Sequence, residues 1–146
     1  MVVTFCGHRQ VEDKEQVALW LRQTLEKLIE EGADVFYLGG KGAFDLLAAQ
    51  NVHALRQRHP AIRTVLVLPY LNHPLHETEK RLYDETLYPP LESVPPRYAI
   101  VRRNEWMVKS ADVLVAYVRY GWGGAARTLE SAIRAGKRVE SFIAGV

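Results

Sequence analysis

Cysteine is nearly absent from this chain. Cys6 is the only one in 146 residues. A lone thiol excludes an intrachain disulfide framework and a cysteine-rich zinc site. Its position inside an apolar run predicts a buried, inert group. Charge of one sign is also missing. The 19 Lys and Arg stand against 17 Asp and Glu, leaving a formal net charge of +2. That balance argues against a nucleic-acid partner. No apolar run approaches the roughly 20 residues needed to cross a bilayer. The opening Met1-Val2-Val3-Thr4-Phe5-Cys6 has no basic lead, so it predicts a first strand rather than a signal peptide. The expectation is a cytoplasmic protein with no membrane partner. Proline is scarce along most of the chain. Of the seven prolines, only Pro60 lies outside residues 69–97.

What is present suits a packed core. Hydrophobic residues make up 48% and charged residues 25%, which speaks against global disorder. The length fits one domain over residues 1–146. Val2 to Cys6 reads as a strand. Asp13 and Gln16 form an expected capping pair for the next helix, whose apolar face carries Val17, Leu21, Leu25, Leu28 and Ile29. Gly32 ends it. Val35 to Leu38 reads as a strand, Ala43 to Arg58 as a helix, and Ile62 to Leu68 as a strand covered on both faces. A strand near Ala99 to Val101 and a helix over Arg103 to Ser110 are expected next. Then come a strand at Asp112 to Val118, a helix at Ala125 to Ala135 and a short strand at Val139 to Ile143. This alternation predicts an α/β fold: a three-layer Rossmann-like domain with a mostly parallel sheet. Residues 69–97 break the rhythm and read as a long inserted loop, with a short helix around His76 to Leu82. A connection of that length is commonly functional.

Two glycine clusters each follow an apolar run and precede a helix. They are Gly39-Gly40-Lys41-Gly42 and Gly121-Trp122-Gly123-Gly124. Strand, glycine turn and helix together bring free backbone N–H groups to an anion. Two such turns predict a site closed from two sides at one sheet edge, suited to a phosphate-bearing nucleotide. Neither cluster has the spacing of a dinucleotide fingerprint or a Walker loop.

Further candidates surround these turns. Gly7-His8-Arg9 ends the first strand, where Arg9 is placed to grip a phosphate and His8 to act as an acid–base group or a hydrogen-bonded turn residue. Tyr120 and Trp122 flank a glycine and suit base stacking. Arg127 and Thr128 open the following helix. Glu130 is expected on its core-facing side, with Arg103 as its partner, because carboxylates are rarely buried unpaired. Tyr83 and Asp84, in the 69–97 segment, are expected to reach the same site. His73, His76 and Glu79 have helical spacing, but Pro74 interrupts them, so no metal site is expected. No cofactor is implied.

The order of these stretches resembles a known group. Cys6-Gly7-His8-Arg9, Tyr37 to Asp45, Tyr83 to Pro90, Arg103 to Met107 and Gly123 to Glu130 together resemble the small single-domain bacterial family opening with Cys-Gly-His-Arg. That family lies in the lysine-decarboxylase-like (LOG/SLOG) superfamily, with cytokinin-activating phosphoribohydrolases, nucleotide-sensing domains and DNA-processing proteins. The resemblance implies a Rossmann-like fold that binds a nucleotide or nucleotide derivative. It implies catalytic roles for Arg103 and Glu130 in cleaving an N-glycosidic bond, and a phosphate-binding turn at Gly123, Gly124 and Thr128. Trp122 before the glycines and Arg127 before Thr128 depart from the phosphoribohydrolase pattern. A ligand sensor without turnover therefore stands beside the hydrolase reading, and single-stranded nucleic-acid binding comes third, implied by the DNA-processing relatives and opposed by the +2 charge. Enzyme relatives are commonly homodimers, and Trp106, Met107 and Val108 are expected to form part of such an interface.

Overall fold

The computed structural model describes residues 1–143. Eleven helices and strands alternate from β1 (Val2–Gly7), α1 (Lys14–Glu30), β2 (Val35–Leu38), α2 (Gly42–Leu55) and β3 (Arg63–Val67) onward. The order continues with α3 (Glu77–Leu82), β4 (Glu85–Leu87), α4 (Ala99–Ser110), β5 (Val113–Tyr117), α5 (Gly124–Arg134) and β6 (Arg138–Ser141). The strands form one sheet in the order β4-β3-β2-β1-β5-β6, and every pairing is parallel. The α/β architecture with a parallel sheet between two helical layers is therefore the one expected.

Alternation along the strands builds the layers. Val3 and Phe5 join Phe36, Leu38, Val113, Val115 and Tyr117 beneath the buried faces of α1 and α2. Cys6, Leu114 and Ala116 point the other way, onto Val108 of α4 and Ala132 of α5. Successive strand side chains face opposite layers, so one sheet carries two cores.

Several local expectations differ from the structure. Asp13 precedes α1 in a left-handed conformation (φ 54°) and makes no side-chain capping bond. Its backbone carbonyl instead accepts from Val17 N–H. The strand expected near Ala99 is the first turn of α4. The missing strand lies inside the supposed loop. After β3 the chain turns through α3 and returns as β4, an edge strand beside β3. Only three residues long and charged at Glu85, β4 carries too little apolar alternation to read as a strand.

The strand order fixes where a ligand can enter. From β1 the chain builds outward through β2, β3 and β4, then crosses to the other side of β1 with β5. That reversal leaves a crevice at the carboxyl ends of β1 and β5, where open parallel sheets take ligands.

Candidate functional site

A cavity of about 480 Å³ occupies that crevice. The loop after β1 supplies Gly7, His8, Arg9 and Gln10. The turn after β2 supplies Gly39 and Lys41, and α2 supplies Asp45. The turn after β5 adds Tyr120, Trp122, Gly123 and Gly124, with Thr128 from α5; Arg103, Asn104 and Met107 close it from α4. Both glycine clusters thus reach one cavity, but their glycines serve different ends. A Cβ on Gly7 would lie 2.3 Å from the Phe44 ring, and one on Gly39 would lie 2.9 Å from the Arg103 guanidinium. A Cβ on Gly42 would lie 2.8 Å from Arg9 Cα. The first cluster is small so that the protein can pack on itself. A Cβ on Gly121, Gly123 or Gly124 would meet nothing within 4 Å. Gly123, with φ 94°, leads directly into α5. The open backbone is therefore at the second turn, where the helix presents its unpaired N–H groups.

Electrostatics favour an anion. Arg9, Lys41 and Arg103 line the cavity against a single carboxylate, Asp45. Arg103 is only 3% exposed. It donates through Nη1 to the carbonyls of Gly39 (3.2 Å) and Val67 (3.0 Å), and through Nε to Asn104 Oδ1 (3.0 Å). Those bonds tie α4 to the ends of β2 and β3. Burial lowers its pKa, and the Asp45 charge works in the opposite direction. Asp45 Oδ2 accepts from Lys41 N–H at 3.3 Å. Burial pushes its carboxyl up to about 6, against the backbone N–H groups of Lys41, Gly40 and Gly39 and the Arg103 charge. Cys6 lies at the cavity floor, and burial raises its thiol far enough to keep it protonated at neutral pH.

Aromatic side chains form one wall. His8 stacks on Tyr120 at 3.9 Å between ring centroids, and Tyr120 stacks on Trp122 at 4.4 Å. His8 Nε2 accepts from Arg119 N–H at 2.9 Å. Burial, then the Arg119 charge, lowers the His8 pKa, so the ring stays neutral and keeps its acceptor. Trp122, at the outer end of the stack, is 71% exposed.

The remaining candidates lie elsewhere. Glu130 is exposed and outside the cavity lining, and makes no ion pair with Arg103 among the described residues. The phase of α5 explains this: Ala126 and Ala132 take the buried face, and Glu130 is turned about 100° from its centre. Asp84 accepts from Thr64 N–H (2.8 Å) and Thr64 Oγ1–H (3.0 Å) and pairs with Arg56. Because β4 runs parallel to β3, the residue preceding β4 falls at the amino edge of the sheet. Tyr83 is half-buried beside Gly40, Glu79 and Arg103, outside the cavity lining, and burial raises its pKa. Gly40, Gly42 and Gly121 shape the turns without lining the cavity, and Arg127 faces a second hollow between α4 and α5. His73 pairs with Glu79 at 3.4 Å, and Glu79 also accepts from His76 N–H. The surface expected to join two copies is largely internal. Met107 and Val108 are buried, and Trp106 packs on Tyr37 at 5.4 Å.

Asp45, Lys41, Gln10 and Asn104 were not expected in the site. For Asp45 a signal existed: a carboxylate in the first turn of a helix whose neighbours Phe44 and Ala48 are core residues.

The sequence profile of the YspA SLOG family matches residues 8–122. The chain belongs to the YspA SLOG family. The match places it in the superfamily that the resemblance implied; Cys6, Gly7 and the stretch from Gly123 to Glu130 lie outside the matched residues. No curated protein sequence matches. Among solved structures, DNA processing protein A from Helicobacter pylori is 18% identical, with a TM-score of 0.67 over 97% of this chain and 64% of that one. Its counterpart from Streptococcus pneumoniae is 20% identical, with a TM-score of 0.67 over 99% of this chain and 50% of that one. The molybdenum cofactor carrier protein from Chlamydomonas reinhardtii is 18% identical, with a TM-score of 0.61 over 96% and 75%. At these identities the likeness is one of fold. It still corrects the expectation drawn from net charge. The Helicobacter protein has a single-stranded DNA binding mode, so this fold is compatible with a nucleic-acid partner and a net charge of +2 does not exclude one. No helix among the described residues is long and apolar enough to cross a membrane.

Proposed function

We propose that this YspA SLOG protein binds a nucleotide or nucleotide derivative in the crevice between β1 and β5. The observation that carries the reading is the open second turn. Gly123 and Gly124 leave free space above the amino end of α5, within a cavity lined by three cationic side chains and one carboxylate. In this reading the ligand phosphate sits on the N–H groups at the start of α5. Arg9 closes over it from the rim, and the base lies against the outer face of Trp122, since His8 and Trp122 already cover Tyr120. Helix dipole and backbone donors favour the phosphate with no side chain to immobilise. Isothermal titration calorimetry with adenosine 5′-monophosphate tests this. Binding below millimolar Kd, weakened in Arg9→Ala, supports it; no heat at millimolar nucleotide overturns it.

The reading stops at binding. Glu130, the carboxylate expected to act at the anomeric carbon, lies outside the cavity lining, and Asp45, the carboxylate that does line it, is assigned no role in bond cleavage. Chromatography for free base after incubation with a nucleotide panel tests turnover, and the account expects intact nucleotide. Single-stranded nucleic acid is a second reading, favoured by the exposed Trp122 ring at the end of a three-ring stack. It predicts a shift of labelled single-stranded DNA that fades as salt rises. Absence of any shift at low salt removes it.

A further inference from the structure

Asp45 has a role that neither glycine turn supplies. It stands in the first turn of α2, where Lys41 N–H donates to its Oδ2 at 3.3 Å and the neighbouring Gly39 and Gly40 N–H groups favour its charged form. Gly40 and Gly42, at φ 76° and 91°, give the turn its shape. A turn with free backbone donors can hold an anion, and here the protein's own carboxylate already takes the Lys41 donor. A ligand phosphate placed there would set two anions on the same donors. The phosphate is therefore directed to the turn before α5, and Asp45 is left facing whatever lies at the other end of the ligand.

A carboxylate can only accept hydrogen bonds there. Asp45 is buried, lines the cavity and forms no ion pair among the described residues, so part of its acceptor capacity remains for a ligand. Burial raises its pKa to about 6, which leaves it ionised at pH 7.5. Spacing points to the sugar. The two turns follow β2 and β5, on either side of β1, and two strand spacings are about 10 Å. A ribose 5-phosphate with a hydrogen bond of about 3 Å at each end spans such a gap. We infer that Asp45 accepts from the ribose hydroxyls and selects ribonucleotides over deoxyribonucleotides, a specificity that rests on the nucleotide-binding reading.

The test is calorimetry on the full chain at pH 7.5 with adenosine 5′-monophosphate and its 2′-deoxy and 3′-deoxy analogues. A buried hydrogen bond to a charged group predicts that at least one deoxy analogue binds about 10-fold or more weakly. Asp45→Asn, checked for folding by thermal melting, is expected to reduce that preference to about twofold or less, since a neutral amide accepts far more weakly than a carboxylate. Equal affinity of the wild-type protein for all three nucleotides overturns the inference and leaves nucleotide binding standing. So does an unchanged preference in folded Asp45→Asn. If that variant does not fold, the wild-type panel decides alone. Failure to bind any of the three overturns the nucleotide reading, and this one with it.

Discussion

Gly7→Ala and Gly124→Ala should fail in opposite ways. A methyl at Gly7 would sit 2.3 Å from two atoms of the Phe44 ring and 2.6 Å from its Cβ. Phe44 is fully buried and its ring stacks on Tyr117, so it has no vacant direction to move. Overpacking of this kind costs about 1–3 kcal/mol, and this contact is near the upper end. For a chain of this length that lowers Tm by roughly 5–10 °C. A methyl at Gly124 meets nothing within 4 Å. Replacing glycine at the start of a helix by alanine should leave stability unchanged or raise it by up to about 1 kcal/mol. The same methyl stands where the phosphate is proposed to lie. Loss of one charge-assisted hydrogen bond there weakens nucleotide binding about 10-fold or more. Urea denaturation and calorimetry on both variants read the two effects separately. A destabilised Gly124→Ala, or one that binds nucleotide as tightly as the wild type, refutes the division of labour between the turns.

Other outcomes follow from single side chains. The Asp45 carboxyl rises from 3.8 to about 6 on folding, so the native state holds its proton more tightly and the contribution of Asp45 to stability falls as pH rises from about 4 to 6, by about 3 kcal/mol. In Asp45→Asn that fall should vanish from denaturation curves taken across the window; a slope unchanged from wild type contradicts it. Asp84→Ala removes the acceptor for Thr64 N–H, while Thr64 Oγ1–H keeps the Leu82 carbonyl, and should cost about 1–3 kcal/mol of stability, with nucleotide affinity within about twofold of wild type. A tenfold loss of affinity in a folded Asp84→Ala would return that residue to the site. Trp122→Ala should weaken nucleotide binding by about 1–3 kcal/mol if the base stacks there, and wild-type tryptophan fluorescence should change on titration. An unchanged Kd assigns the base elsewhere.

The fold was legible where apolar periodicity is strong. Val35–Leu38 and Val113–Tyr117 are short apolar runs, and α1 shows a regular buried stripe. The edge strand at Glu85–Leu87 was not legible, because its place comes from pairing with β3 rather than from its composition. The site was legible in part. Gly7, His8, Arg9, Gly39, Arg103, Trp122, Gly123, Gly124 and Thr128 do meet in one cavity, since each follows a strand end or opens a helix beside one. Glu130 and Asp84 were misplaced for geometric reasons. A rotation of about 100° on α5 and the return of the chain to the amino edge before β4 are not written in residue types. Arg103 was expected to hold a carboxylate and instead holds the carbonyls of Gly39, just after β2, and Val67 at the end of β3, contacts across 64 and 36 residues of chain.

The central claim is that the phosphate of a nucleotide rests on the start of α5, while Asp45 keeps the first turn for itself. A crystal structure of the protein soaked with adenosine 5′-monophosphate tests it most directly. The account predicts phosphate oxygens within about 3.2 Å of backbone nitrogens at Gly124 or Ala125, and the Asp45 carboxylate still facing Lys41 N–H. A phosphate seated on Gly39, Gly40 and Lys41 with Asp45 displaced, or a nucleotide bound outside this cavity, would contradict it.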